Sequence, residues 1–204
     1  MRTSMLLWSR CVNRLFGTTR RRSRLRRSRL RAPELLEGRT LLSVSFRSAL
    51  SIGNDVGDSQ AEDVATDEAG SSYVTGIFSG TVDFDQAATH PGDSDIRTAL
   101  GSSSAFVAKY AADGSLAWVQ QTGGYGRKIT LDGSGSVYVA GQFSGSAAFG
   151  STILSTAGDL DGFVAKLDAG GTVQWARSWG TAGNDWGNGV GVDSAGNVYA
   201  LSTQ

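Results

Sequence analysis

Hydrophobic and polar residues alternate along much of the chain after residue 50, and the alternation returns in repeated blocks. The block at 64–80 recurs at 129–145, and a third copy begins at Val190. In each copy, period-two runs flank an Asp-x-x-Gly segment, which is typical of a hairpin because Asp caps the turn and Gly accepts a positive φ. The pattern therefore predicts one β-hairpin per copy. The three turns begin at Asp67, Asp132 and Asp193.

A second block of alternating residues lies between these hairpins. Residues 106–118 match residues 163–175, with Phe106, Ala108 and Tyr110 on one strand face before a turn at 113–114. Two hairpins per unit predict four antiparallel strands per unit. The connectors between the blocks differ in length, so we expect them to be loops, where insertions are tolerated.

A repeat of about 60 residues with four short antiparallel strands indicates a β-propeller blade. The prediction is an all-β fold, a partial β-propeller over 48–204 with two four-stranded blades and the first hairpin of a third. Helices are disfavoured there, because no 3.6-residue periodicity is sustained and Gly occupies 28 of 204 positions. Blades bury their faces against neighbours, so an array left open should be oligomeric, poorly soluble or a fragment of a longer protein.

Several motifs in this region match a known repeat. Gly-x-Asp-x-Gly stands at 53–57 and 183–187, a Val-Asp-x-x-Gly-Asn-x-Tyr hairpin at 192–199, and Asp-x-Phe-Val-Ala-Lys-Leu at 161–167, followed by Trp175. Residues 51–204 thus resemble the seven-bladed β-propeller (SBBP) repeats of bacterial secreted and surface proteins. The resemblance implies an extracellular or cell-surface location.

The chain departs from this repeat in two places. The second unit lacks the Gly-x-Asp-x-Gly element and has 123–127 in its place. The third unit has Ser202 where the earlier copies have Gly76 and Gly141.

The formal net charge of zero hides a basic leader in front of an acidic domain. Residues 1–43 contain 12 Arg against Glu34 and Glu37, and the rest of the chain is acidic. The Arg run at 20–31 is too charged to bury, so we expect residues 1–47 to be disordered or bound to an anionic partner. A nucleic-acid arm is disfavoured, because no aromatic residues interleave the arginines and the domain behind them is acidic.

The leader has features of export. Its apolar run at 5–8 is shorter than the core of a standard signal peptide. Residues 34–43, Glu-Leu-Leu-Glu-Gly-Arg-Thr-Leu-Leu-Ser, resemble the LEPR-XLL motif of large exported planctomycete proteins, with Gly38 in place of proline. Cys11 is the only cysteine, so the repeats hold no disulfide. No run approaches the ~18 apolar residues of a membrane helix, so no integral membrane span is expected.

Few residues suggest catalysis. The chain has one His, His90, and one Cys, which are too few for a zinc site or a Cys/His nucleophile. We therefore expect no catalytic, cofactor-binding or metal-binding residue, and no cofactor. Two acidic groups could contribute to a calcium site, although solvated acidic loops are the commoner explanation. They are Asp83 with Asp85, and Asp55 with Asp58, Glu62 and Asp63.

The repeated residues have structural interpretations. The turn aspartates should hold the hairpins, and Lys109 and Lys166 should lie on a sheet face. The aromatic residues are expected in core packing between units rather than in a sugar platform. They are Trp118, Trp175, Trp179, Trp186, Tyr73, Tyr138 and Tyr199. The 123–126 glycines lack the Lys-Ser/Thr pair of a phosphate loop.

Three functions remain open. The first is a non-enzymatic exported or cell-surface propeller scaffold that binds an unknown protein or surface glycan. The second is part of a propeller enzyme, a lyase, hydrolase or quinone-dependent dehydrogenase with its catalytic residues in other blades. Unrepeated polar residues on first strands would indicate it, and Asp63 and Arg127 are the nearest examples. The third is a calcium-dependent adhesin.

Overall fold

A computed structural model describes residue 52 and residues 57–85 and 95–204. These residues are all-β, and none of them is helical. The strands are β1 (Ser59–Thr66), β2 (Ser72–Phe78), β3 (Thr81–Asp83), β4 (Ile96–Thr98), β5 (Ser104–Tyr110), β6 (Leu116–Thr122), β7 (Tyr125–Leu131), β8 (Val137–Phe143), β9 (Ser146–Phe149), β10 (Thr152–Ser155), β11 (Asp161–Leu167), β12 (Val173–Trp179), β13 (Trp186–Val192) and β14 (Val198–Thr203). The leader, His90 and residues 53–56 of the first Gly-x-Asp-x-Gly motif lie outside the described residues.

The predicted hairpins join in pairs into antiparallel sheets. Sheet 1 has the order β1-β2-β5-β6, and sheet 2 has the equivalent order β7-β8-β11-β12. The third copy is the two-stranded hairpin β13-β14. The prediction of two hairpins and four strands per unit is confirmed for both complete units.

The connectors contain more structure than the loops expected from the sequence. Each one folds into a short hairpin, β3-β4 beside sheet 1 and β9-β10 beside sheet 2. These hairpins are fixed by aromatic packing: the Phe84 ring lies 5.0 Å from Phe106 and 5.4 Å from Phe78. Phe149 repeats the arrangement, 4.6 Å from Phe163. Strands of three or four residues are too short to reveal their alternation, so sequence reasoning missed them.

All the long hairpins use one kind of turn. In the first, Asp67 N–H donates to Ser71 O at 3.1 Å and Gly70 N–H donates to Asp67 O at 3.1 Å. Gly70 has a φ of 85°, which matches a three-residue turn with Gly in the left-handed position. The same pair of bonds closes the turns that begin at Ala111, Asp132, Asp168 and Asp193. The predicted Asp-x-x-Gly turns are confirmed.

Sheet 1 and sheet 2 pack face to face through one apolar cluster. Tyr73 and Val107 of sheet 1 belong to the same buried cluster as Ile129, Val139 and Leu167 of sheet 2. The opposite face of sheet 1 packs against its own connector hairpin. Phe106, Ala108 and Tyr110 lie there, on the single face that the alternation predicts.

Close backbone approach accompanies this packing at equivalent positions. A Cβ at Gly126 would lie 2.2 Å from Thr75 Oγ1, and one at Gly187 would lie 2.4 Å from Gly141 O. The first strand of each later unit therefore lies against the second strand of the unit before it. Asp185 adds a link, because its N–H donates to Leu160 O at 2.7 Å while its carboxylate accepts the Thr181 N–H at 2.7 Å.

Candidate functional site

The repeated Asp, Tyr and Lys residues form one cluster per unit, which we call the Asp–Tyr–Lys cluster. In unit 1, Asp67 accepts the Ser71 N–H at 2.8 Å and the Tyr73 hydroxyl at 3.2 Å. Lys109 Nζ lies 4.0 Å from Asp67 Oδ2 and 4.9 Å from the Tyr73 ring centroid. Unit 2 repeats these contacts with Asp132, Ser136, Tyr138 and Lys166.

These contacts keep the carboxylates ionised. The Ser71 N–H holds the pKa of Asp67 below its usual value. Burial favours a raised pKa for Asp132, but hydrogen bonds from Ser134, Ser136 and Tyr138 outweigh it, and the net pKa is lowered. The aspartates thus act as fixed turn acceptors, as predicted, and not as groups poised for proton transfer near neutral pH.

The third unit has only part of the cluster. Asp193 accepts from Asn197 N–H at 2.8 Å and from the Tyr199 hydroxyl at 3.1 Å. Tyr199 is 59% exposed, whereas Tyr73 is 1% exposed. The prediction of core packing is therefore wrong for Tyr199, because among the described residues no third strand covers this hairpin.

The first strands carry a second set of polar residues, which we call the bulge positions. Each first strand has a register irregularity at the same place, and the extra residues are Glu62, Arg127 and Asn188. A β-bulge leaves its extra residue unpaired and redirects its side chain. The offset that relates the blocks at 64–80 and 129–145 makes Glu62 the counterpart of Arg127 and Asp63 that of Lys128, and the two bulges lie at the same position.

Specific bonds orient the side chains at the bulge positions. The Tyr125 hydroxyl donates to Glu62, and Arg127 Nε donates to Gln142 Oε1 at 2.6 Å. The Arg127 guanidinium carbon lies 5.2 Å from the Tyr125 ring centroid. Asn188 donates to Thr203 Oγ1 at 2.6 Å. Units 1 and 2 are thus joined by a polar chain that presents an anion, a phenol and a cation in sequence.

Tyr125 remains a hydrogen-bond donor over the whole physiological range. Desolvation and the bond to Glu62 raise the pKa of Tyr125 to about 12. Together with Glu62, Arg127 and Gln142, Tyr125 offers hydrogen-bond donors, acceptors and an aromatic ring, which suits the recognition of a polar ligand. A groove of about 650 Å³ runs beside Tyr125 and Gln142.

Asp63 has a structural role between the sheets. Its Oδ2 accepts the Ile129 N–H at 3.1 Å and lies 3.7 Å from Lys128 Nζ. Asp83 accepts the N–H of Asp85 at 2.9 Å at the end of β3. Within the described ranges, no group of three His, Cys, Asp or Glu residues is placed to hold a metal ion. Asp55, part of the second acidic group, lies outside these ranges.

Trp118 packs between sheets 1 and 2, as predicted, whereas the contacts of Trp175 and Trp179 lie within sheet 2. Trp118 lies edge-on to Tyr73 with ring centroids 6.1 Å apart, and its indole N–H donates to Ala169 O of sheet 2 at 3.0 Å. Trp175 lies 6.3 Å from Tyr138 in the equivalent position. Trp179 covers Gly162, where a Cβ would lie 2.5 Å from the ring.

One buried carboxylate is incompletely satisfied. Asp161 is 3% exposed, and its Oδ2 accepts the Ala157 N–H at 2.9 Å. Its Oδ1 has no hydrogen-bond partner among the described residues, and neither has the indole nitrogen of Trp179. Ser104 holds the equivalent place in unit 1, where its hydroxyl accepts the Leu100 N–H at 2.8 Å.

From the sequence, Arg127 was singled out and Glu62 was named only within an acidic group, whereas Tyr125 and Gln142, which contact Arg127, were missed. A bulge changes the register by one residue within a pair of strands, and the alternation of hydrophobic and polar residues does not show where it lies, so the partners across β7 and β8 could not be assigned. The available signal was the unrepeated polar character of the residues before each block.

No protein-family model matches the sequence, and no similar protein is found among the curated proteins. In the part of the chain that the structure describes, no helix is long and apolar enough to cross a membrane.

Proposed function

We propose that this chain is a non-enzymatic, exported or cell-surface scaffold built from β-propeller blades, and that it binds a protein or a surface glycan. The observation that carries the proposal is that repeated and unrepeated polar residues lie in different places and make different contacts. The repeated ones hold turns and sheet contacts, as Asp67 and Lys109 do. The unrepeated ones occupy the bulge positions, Glu62, Arg127 and Asn188.

The equivalence of the units supports the propeller. Sheets 1 and 2 share strand order, turn type and bulge position, and each later first strand packs on the second strand of the unit before. In a propeller, blades pack in this way around a common axis. The SBBP-like motifs of the sequence point to the same architecture.

Exposed apolar surface at both outer units supports further association. On the outer face of sheet 1, a groove of about 490 Å³ is lined by Ile52, Val64, Val74 and Tyr110. Val64 is 59% exposed, whereas its counterpart Ile129 is buried against sheet 1. Self-association or further blades would cover this face.

The binding surface can be tested with a variant of the bulge positions. The variant carries Glu62→Gln, Arg127→Gln and Asn188→Ala. These changes remove the two charges at the bulge positions and the Asn188 amide. The control changes two exposed turn residues, Glu68→Gln and Asp113→Asn. On an array of bacterial surface glycans, the proposal predicts binding by wild type and control and a loss of at least ten-fold in the variant. Equal binding by all three proteins would exclude this surface.

Export can be tested separately with residues 1–47 fused to a reporter protein. The proposal predicts that the reporter reaches the cell surface or medium in a planctomycete host. Retention inside the cell would remove the export part of the proposal and leave the binding part untouched.

A further inference from the structure

A row of paired residues crosses sheet 2 beside the Arg127 bulge. Tyr125 pairs with Gln142, and Gln142 pairs with Gly162. Gly162 in turn pairs with Trp179. Residues directly opposite one another in antiparallel strands place their side chains on the same face. Arg127 joins this row, because its Nε donates to Gln142 Oε1 at 2.6 Å and its guanidinium carbon lies 5.2 Å from the Tyr125 ring centroid.

Arg127 is held in this position without an ionic partner. Among the described residues, no carboxylate lies within ion-pair distance of its guanidinium, although acidic residues outnumber basic ones in residues 44–204. The side chain is half-buried, and its Nε already donates to Gln142. Its two terminal nitrogens donate to no described residue, so they are available to bind a carboxylate through two parallel hydrogen bonds.

Gln142 places a second donor next to the guanidinium. An arginine nitrogen can only donate, so the oxygen of the Gln142 amide faces Arg127 and the amide nitrogen faces away from Nε. Gln142 is 8% exposed, and its amide nitrogen donates to no described residue. Polar groups on side chains buried to this extent usually have a hydrogen-bond partner. The amide nitrogen therefore fits an acceptor from outside the described residues.

The indole nitrogen of Trp179 lies in the same row. A Cβ at Gly162 would be 2.7 Å from Trp179 Nε1, so the ring covers Gly162 beside Gln142. This nitrogen is buried and donates to no described residue. Because it is covered, it adds to the positive potential of the row and not to direct contacts. The row thus has one cation and several N–H groups without acceptors, which favours an anionic ligand.

We propose that Arg127 and Gln142 bind the carboxylate of an acidic sugar, a uronic acid, in the glycan ligand. This inference rests on the proposed function, in which the bulge positions bind a surface glycan, and it names the class of glycan. The carboxylate accepts hydrogen bonds from the terminal nitrogens of Arg127 and from the amide nitrogen of Gln142. The rest of the sugar lies along the groove of about 650 Å³ that Tyr125 and Gln142 line.

The lining of this groove favours a sugar over an acidic peptide. Its exposed hydroxyl groups include those of Ser102, Ser144 and Ser146. None of the described residues that line it is charged. Hydroxyl groups both donate and accept hydrogen bonds, as the hydroxyls of a sugar do. The uncharged groove therefore suits the neutral part of a uronic acid, and its single charge is bound by Arg127.

Glu62 determines the end of Tyr125 at which the ligand carboxylate binds. Glu62 lies at the hydroxyl of Tyr125, whereas Arg127 lies over the ring. Two carboxylates repel each other, so the ligand carboxylate binds at the Arg127 end. Glu62→Gln removes this repulsion and keeps an acceptor for the Tyr125 hydroxyl, so the variant should bind the acidic sugar about two-fold more tightly.

The test uses the full chain, labelled with ¹⁵N, and two probes that differ in charge. One is trigalacturonate, and the other is its methyl ester, which keeps the hydroxyls and lacks the carboxylates. We expect the acid to shift the side-chain amide signal of Gln142 and to bind at least about ten-fold more tightly than the ester, because hydrogen bonds to charged groups are stronger. The arginines of residues 1–43 can attract the same acid, so the affinity is taken from the Gln142 signal alone.

Three variants separate the guanidinium of Arg127 from a general attraction between charges. Arg127→Gln should weaken binding of the acid at least about ten-fold and leave binding of the ester unchanged. Arg127→Lys keeps the charge without the planar pair of donors and should weaken binding of the acid about five-fold. Lys128→Gln is the matched control, because it removes the same charge from the next, exposed residue and should change the affinity by less than about two-fold.

Several results would overturn the proposal. Equal binding of the acid and the ester to the wild-type chain, or no shift of the Gln142 signal with either, would do so without any variant. Equal losses in Arg127→Gln and Lys128→Gln would reduce the effect to general attraction. Tighter binding of the peptide acetyl-Gly-Glu-Glu-Gly-amide than of trigalacturonate would assign the site to an acidic protein segment.

Failure of this inference is distinguishable from failure of the proposed function. If neutral glycans bind on the array and trigalacturonate does not bind at Gln142, the proposed function stands and the uronic acid site is excluded. If trigalacturonate binds at Gln142 and no bacterial glycan binds on the array, the carboxylate site stands and the surface glycan is excluded as its ligand.

Discussion

The indole ring of Trp118 lies directly on the backbone of Gly171. A Cβ at Gly171 would come within 2.7 Å of two ring carbons, and the indole N–H donates to Ala169 O at 3.0 Å. Trp118 belongs to the last strand of sheet 1, and Gly171 to the last turn of sheet 2. This contact therefore ties the outer ends of two consecutive units together.

Substitutions at Gly171 and Gly114 distinguish the stability contributed by the Trp118 contact from that contributed by the turn conformation. Gly171→Ala places a Cβ against the ring and strains a residue with a φ of 86°. Gly114 has the same place in sheet 1 and a φ of 90°, with no atom within 4 Å of the added Cβ. We expect Gly114→Ala to lower the free energy of unfolding by about 1–2 kcal/mol through backbone strain alone. Gly171→Ala should lower it by about 1–3 kcal/mol more, through the clash.

Urea denaturation of the wild type and of these two variants gives this comparison. Equal losses for Gly114→Ala and Gly171→Ala would show that Trp118 is not seated on the turn.

A second test concerns the inner part of the sheet contact, where Gly126 faces Thr75. Gly126→Ala should cost about 1–3 kcal/mol of stability by overpacking a buried site. Thr75→Ala removes the obstructing hydroxyl but also its 2.9 Å bond to Phe106 O, at a cost of about 1–3 kcal/mol. The double variant should lose at least about 1 kcal/mol less than the two single losses combined, because neighbouring sites couple.

Thermal or urea unfolding of the four proteins measures this coupling. Additive losses would mean that Gly126 and Thr75 do not touch.

Much of this packing could be predicted from the sequence, for reasons visible in particular residues. The Asp67 and Gly70 turn has local chemistry that an Asp-x-x-Gly pattern expresses directly. The burial of Tyr73 and Tyr138 followed from their recurrence. The connector hairpins were missed because Phe84 and Phe149 gain their partners through tertiary packing. The prediction that Tyr199 is buried was wrong, because the burial of a repeated residue depends on a neighbouring strand that covers it. The recurrence of the residue does not show whether that strand is present.

The turn carboxylates predict a dependence of stability on pH. The folded-state pKa of Asp132, and likewise of Asp67 and Asp193, is lowered. A lowered folded-state pKa contributes stability above the unfolded-state value of about 4, and that contribution is lost as pH falls toward the folded-state pKa. We therefore expect the urea midpoint to fall steeply below about pH 4.

Asp132→Asn isolates one of these groups. The variant should lose about 1–3 kcal/mol at pH 7, because its hydrogen bonds no longer end on a charge. Its midpoint should depend less on pH below about 4 than that of the wild type. Asp159→Asn is the control, since this carboxylate accepts no hydrogen bond among the described residues. Identical acid profiles for wild type and Asp132→Asn would contradict the assignment.

The buried carboxylate of Asp161 gives a prediction that ranks two substitutions at one position. Asp161→Ser should retain the bond to the Ala157 N–H, as Ser104 does for Leu100, and should remove an unpartnered buried oxygen. Asp161→Ala removes the acceptor as well, so the serine variant should be the more stable of the two by about 1 kcal/mol. Differential scanning calorimetry ranks them, and an alanine variant equal to or better than serine would show that the Ala157 bond contributes nothing.

The candidate site was less predictable than the fold. Arg127 was visible as an unrepeated polar residue, and the repeat offset relates it to Glu62, but the bulge that redirects both side chains leaves no pattern in the sequence. The bond from Arg127 to Gln142 joins the adjacent strands β7 and β8, so it depends on their register, which a one-residue bulge shifts. The sequence therefore indicates that Arg127 lies on a first strand, but not that it bonds to Gln142.

The central claim is that successive units are related by one repeated rotation, as in a propeller. A crystal structure of the chain would test it by comparing two rotations, from sheet 1 to sheet 2 and from sheet 2 to the β13-β14 hairpin. The account predicts that both share one axis and have similar angles, about 45–90°, the range for four to eight blades in a circle. Rotations about different axes, or sheets stacked with almost no rotation, would contradict it.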